Sequence, residues 1–206
     1  MGIAFITGFL LGLSLIVAIG AQNTFVLRQG IIGKHIFYVA LFCAVSDALL
    51  ISIGVLGISL FLDNFVSLIS NWLFGVSAIW LLSYGALKLK SVFKEDIILE
   101  IEISSSKSLL STLSIVSILT FANPHVYLDT MILIGSISQQ FIDIEKLFFT
   151  LGASLASFVF FFSLAYGAKL LKPIMKEPFA WRVLDCLIAI IMFTIAIRLL
   201  VAGNWI

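Results

Sequence analysis

Two aspartates and two interruptions inside apolar runs are the residues of this chain that could do chemistry. Asp47 lies in Cys43-Ala44-Val45-Ser46-Asp47-Ala48-Leu49-Leu50. Asp129 lies in Phe121-Ala122-Asn123-Pro124-His125-Val126-Tyr127-Leu128-Asp129-Thr130. A carboxylate at membrane depth costs roughly 3 kcal/mol on insertion scales, and proline removes a backbone donor while clashing with the preceding turn. Groups kept at that cost point to use. Asp47 falls about 12 residues, roughly 18 Å, into its run, close to mid-bilayer. A purely structural role would pair it with a base, but the only basic residue well inside a run is Arg198, towards the far face. Asp47 therefore reads as a solvated, cation-binding or protonatable carboxylate.

Asn123 can cap a half-helix, and Pro124 suits its first turn, where the missing donor is an orphan anyway. The exposed N–H groups and positive dipole end would seat a carboxylate, leaving Asp129 to meet a positive group. A proline kink alone would leave Asp129 unexplained. The other interruption is Gly20-Ala21-Gln22-Asn23. Gln22 and Asn23 bring amide groups that hydrocarbon cannot satisfy, and the competing reading is a helix end at the interface just before Arg28. His125 and Tyr127 flank the second break, as pocket or as packing. The candidate substrate-binding residues are Gln22, Asn23, Asp47, Asn123, Pro124 and Asp129, with Asp47 and Asp129 also candidates for proton or cation coupling. No phosphate-binding loop, Ser/His/Asp or Cys/His set, or HExxH is present, so no catalytic residue, metal ligand or cofactor is expected. The chain reads as something other than an enzyme.

The elements that position these residues are membrane helices. Of 206 residues, 62% are apolar and 11% charged, against about 25% charged in a soluble domain. The net charge of +1 says little about partners, and with no basic stripe interleaved with aromatics no nucleic-acid partner is expected. Cys43 and Cys186 stand singly in apolar runs and read as buried, inert thiols. The first run has no Lys or Arg before Arg28 and is too long for a signal-peptide core, so it reads as a spanning helix.

Six apolar runs near the length needed to span fall at about 3–27, 36–62, 65–87, 109–138, 147–171 and 182–203. The expectation is an all-α integral membrane bundle of six transmembrane helices, with helices one and four broken. It forms one domain over 1–206, with a first repeat of about 1–87, a solvated cytoplasmic linker at 88–108 and a second repeat of about 109–206. The linker includes an alternating stretch over 97–103 and then Ser104-Ser105-Ser106. Two halves of three helices must enter the membrane in opposite senses, the inverted-repeat plan of many transporters, and the two interruptions echo each other across it. Ten of the twelve basic residues fall after helices one, three and five. By the positive-inside rule that places both termini outside the cytoplasm. Gly8-x-x-x-Gly12 and Ser111, Ser114 and Ser117 put small residues on helix faces; packing within the molecule is the first reading and a homodimer interface the second. Trp72, Trp80, Trp181 and Trp205 mostly lie near run ends, as interfacial anchors would.

Gly20-Ala21-Gln22-Asn23-Thr24-Phe25-Val26-Leu27-Arg28-Gln29-Gly30 and Asn123-Pro124-His125-Val126-Tyr127-Leu128-Asp129-Thr130, with Ala44-Val45-Ser46-Asp47 between them, resemble the signature stretches of the LysE-type lysine/arginine exporters. The resemblance covers essentially the whole chain and is nearest to the arginine exporters. Some of those have proline at the position of Ala21, a departure that leaves the first break less sharply defined. The resemblance implies export of basic amino acids, L-arginine or L-lysine, across the bacterial inner membrane, driven by the membrane potential or a proton gradient. The implied partners are an amino-acid substrate and the lipid bilayer.

Two other readings compete. The same fold could export a neutral amino acid, or a divalent cation held by an all-oxygen set of Asn23, Asp47, Asn123 and Asp129. A membrane thiol oxidoreductase would need Cys43 and Cys186 within disulfide range.

Overall fold

In a computed structural model the chain is described over residues 1–17, 20–56, 58–93, 108–171, 173–174 and 177–205. The described residues are helical, with short turns and no strand. The helices are α1 (Gly2–Ile16), α2 (Ala21–Ile32), α3 (Ile36–Val55), α4 (Ile58–Val92), α5 (Leu109–Phe121), α6 (Pro124–Tyr127), α7 (Ile134–Ser138), α8 (Asp143–Gly167) and α9 (Pro178–Ala202). A π-helical segment, Leu128–Leu133, joins α6 to α7, and a 3₁₀ turn, Ala168–Leu171, extends α8.

Local chemistry sets several of these ends. Ser108 caps α5, its hydroxyl accepting from the Ser111 N–H at 3.3 Å, which satisfies one of the orphan donors of a helix start. α2 stops at Gly33, whose φ of 89° is left-handed and favours glycine at that place. Pro178 opens α9, where its lost donor costs nothing.

Among the described residues three helices are long and apolar enough to cross a membrane: Ile36–Val55, Asp143–Leu171 and Pro178–Val201. α1 and α2 together form a fourth candidate, bent by 83°. The chain is thus a multi-pass membrane protein. α8 is the central post, with α1, α2 and α3 packed along it, and α4 pairs chiefly with α9.

Hydrocarbon tails are as apolar as leucine, so close backbone approach and not water exclusion holds such helices together. A Cβ on Gly12 would stand 3.0 Å from the Ala153 carbonyl oxygen. Gly8 likewise meets the Phe149 carbonyl, Gly152 that of Phe5, and Gly30 that of Ala165. The Gly8/Gly12 face is therefore occupied by α8 of the same chain. Ser111 and Ser114 instead lie on the exposed side of α5. Between α4 and α9, Gly85 receives Phe193, and Trp72 meets Trp205 edge-on at 5.9 Å.

Some sequence boundaries move. The second run was expected to reach 62, but α3 ends at Val55 and α4 has already begun at Ile58. Apolar character continues unchanged through Leu60-Phe61-Leu62, so hydropathy holds no stop signal there. α2 runs on to Ile32 and α4 to Val92, so Arg28 and Lys88 are helical and buried, not charges on solvated turns. Trp181 is also buried, at 5% exposure, and is no interfacial anchor. The 97–103 stretch lies outside the described residues.

Candidate functional site

Both interruptions are real ends of helix. The first half-helix stops at Ile16, and α2 starts after Gly20, which is extended at φ −120°, ψ 179°. Gly20 to Asn23 are thus the entry of a second half-helix. α5 stops at Phe121, and Asn123 precedes Pro124, the first residue of α6. Each break leaves terminal carbonyls that lipid cannot satisfy. Asn23 Nδ2 donates to the Ile16 carbonyl at 2.8 Å, and the Tyr127 hydroxyl donates to the Phe121 carbonyl at 2.9 Å. The same device is built twice: a side chain in the second half-helix returns to the last carbonyl of the first.

The breaks frame one cavity of about 200 Å³. Gln22, Asn23, Asp47, Asn123 and Asp129 all line it, with Thr130 beside them and Ile16, Ile134, Phe161 and Ile195 supplying apolar wall. Pro124 stands next to Asn123 at the head of α6. Asp47 is 4% exposed. Gln22 from α2 and Ser157 from α8 are the polar side chains acting on its carboxylate, yet Gln22 Nε2 and Ser157 Oγ complete no hydrogen bond of good geometry. A buried polar atom without a partner costs about 1–3 kcal/mol, so the Asp47 corner holds unspent hydrogen-bonding capacity.

Asp129 sits in the π-helical segment, a wide turn found disproportionately at functional sites. α3 lies directly on that segment: a Cβ on Gly54 would strike the Met131 carbonyl, and one on Gly135 would stand 2.7 Å from the Gly54 carbonyl oxygen. α3 therefore carries Asp47 and braces the turn that carries Asp129.

Sequence reasoning misses two features. Arg198 of α9 also lines this cavity, although the sequence places it towards the far face and apart from Asp47. The second feature is a charged cluster away from the cavity. Lys88 Nζ and Asp185 Oδ1 are 3.4 Å apart, with side chains 7% and 8% exposed. Lys88 also lies 6.0 Å from the Tyr84 ring, and the Arg28 guanidinium 6.0 Å from the Trp181 ring. Lys88 closes the third apolar run and Asp185 opens the sixth, so opposite charges at one membrane face were the available signal.

Among the described residues no three His, Cys, Asp or Glu side chains stand together as a metal site. Cys43 and Cys186 are both free thiols, Cys43 buried on α3.

A polar cavity at two helix breaks, inside a bundle of apolar helices, defines a membrane transporter. The chain belongs to the LysE type translocator family, whose pattern matches residues 13–203. It is a transporter and not an enzyme. It is 37% identical over 199 residues to the arginine exporter protein ArgO of Pectobacterium atrosepticum, covering 97% of each chain. It is 36% identical to the ArgO of Pectobacterium carotovorum, over 95% of each. A Mycobacterium bovis protein provisionally named an amino-acid transporter is also 36% identical, over 93% of this chain and 94% of that one. No solved structure matches.

Proposed function

We propose that this protein is a secondary transporter exporting basic amino acids, L-arginine or L-lysine, across the bacterial inner membrane. The observation that carries the reading is the convergence of Asp47 and Asp129, from separate elements, on one cavity bounded by two helix breaks. The printed names of the similar exporters support the same cargo.

A basic amino acid offers two cations and a carboxylate. Asp47 and Asp129 hold the cations and carry the coupling charge. Gln22, Asn23 and Asn123 supply neutral donors and acceptors, and Pro124 ends the first half-helix so that Asn123 can face the cavity. The entry of α2 brings the positive end of a twelve-residue helix, whereas α6 is only four residues long and contributes little dipole. The architecture proposed is six crossings in two inverted repeats, about 1–87 and 109–206, each opening with a broken helix. Both termini lie outside the cytoplasm. The paired side-chain ties at the breaks support that plan.

Proteoliposomes loaded with labelled arginine test the cargo and the acids together. Asp47→Asn and Asp129→Asn should each lower export at least about tenfold, the loss of one charge-assisted contact. Wild-type rates in both variants would remove the carboxylate roles. Export of a neutral amino acid in place of arginine and lysine would replace the cargo.

A further inference from the structure

We propose that Arg198 binds the α-carboxylate of the transported amino acid, which makes the charges of the cavity the reverse image of a basic amino acid. The inference rests on the reading above, that the cargo is a basic amino acid, and it adds the element that selects this class.

Among the described residues lining the cavity, three carry charge: Asp47, Asp129 and Arg198. Two negatives and one positive face a substrate with two positives and one negative. Each substrate charge then finds an opposite, which matters where water is scarce and an unpaired charge is costly. A neutral amino acid offers the two acids one cation fewer. A divalent cation meets both acids but also the repulsion of Arg198. An amine without a carboxylate leaves the guanidinium unmatched, so the site discriminates through repulsion and omission as well as attraction. The guanidinium fork fits a carboxylate in two parallel hydrogen bonds, as a lysine would not.

Arg198 is exposed, Asp129 half-buried and Asp47 buried. A basic amino acid offers a carboxylate, an α-ammonium and a side-chain cation; in the proposed pose Arg198 takes the first and the two acids take the cations.

The test compares arginine with agmatine, which keeps both cations and lacks the carboxylate, in proteoliposomes bearing wild type, Arg198→Gln or Arg198→Lys. Wild type should move arginine at least about tenfold faster than agmatine, the value of a charged hydrogen-bonded contact. Arg198→Gln should bring arginine down to the agmatine rate and leave agmatine nearly unchanged, and Arg198→Lys should recover part of the arginine rate. Equal wild-type rates for the two substrates overturn the proposal without reference to any variant's folding. So does a parallel loss of both substrates in a folded Arg198→Gln, which would make Arg198 a brace for the acids. Wild type that moves neither arginine nor lysine refutes the cargo itself, a result separable from the others.

Discussion

Lys88 on α4 and Asp185 on α9 meet at 3.4 Å with both side chains more than nine-tenths buried. The pair ties together the two helices that otherwise hold each other by apolar packing and the Trp72–Trp205 contact. A buried ion pair is weak evidence of net stability, because desolvation offsets the attraction, but removing one partner strands a charge.

Asp185→Asn should therefore destabilise the protein by about 3 kcal/mol, while the double replacement Lys88→Met with Asp185→Leu should recover most of it. Unfolding midpoints in detergent check this. A double variant as unstable as the single would show that the pair contributes more than it costs.

Gly8 and Gly152 set the distance between α1 and α8, each facing the partner's carbonyl. Gly8→Val should push α1 away and lower the unfolding midpoint sharply, a cost of the overpacking kind of about 1–3 kcal/mol or more. Gly2, with nothing within 4 Å of an added Cβ, should accept valine without effect. Equal midpoints for the two variants would contradict the close approach.

Gly20 and Gly54 separate backbone need from packing need. At Gly20 the backbone is extended and an added Cβ meets nothing within 4 Å, so Gly20→Ala should keep transport within about twofold, since no strain or clash is introduced. Gly54→Ala drives a Cβ into Met131 and should lower transport by shifting the turn that bears Asp129. Rates in proteoliposomes decide it, and the reverse ranking would refute the bracing role of α3.

Tyr127→Phe removes the tie across the second break and should cost about 1 kcal/mol of stability, one ordinary hydrogen bond. Asn23→Ala removes its counterpart at the first. The two ties share no partner, so the double variant should show additive losses, measured as midpoint shifts.

The cavity was largely legible in the sequence because its residues violate their surroundings. Gln22, Asn23, Asp47, Asn123 and Asp129 are polar groups in apolar runs, and energetic misfits advertise use. The Lys88–Asp185 pair was not legible, because a charge near the end of a run has the same signature whether it snorkels to the interface or turns inward, and Arg198 was seen in its run without the cavity it would line. Only the partner decides, and the partner lies on another helix. The start of α4 was hidden for a simpler reason: Leu56 to Leu62 is apolar almost throughout, so the boundary between the two helices leaves no trace in hydropathy.

The π segment has a consequence for register. A π turn takes up one residue more than an α turn, so it acts as a phase shift of about 100° between the residues before it and those after. α7 can then keep Gly135 against α3, while Asp129, Thr130 and Ile134 remain on the cavity wall. Deleting a single residue between Leu128 and Leu133 would restore an ordinary ladder and carry one of those two faces out of alignment with the other. The second break thus depends on its count of residues as much as on their identity.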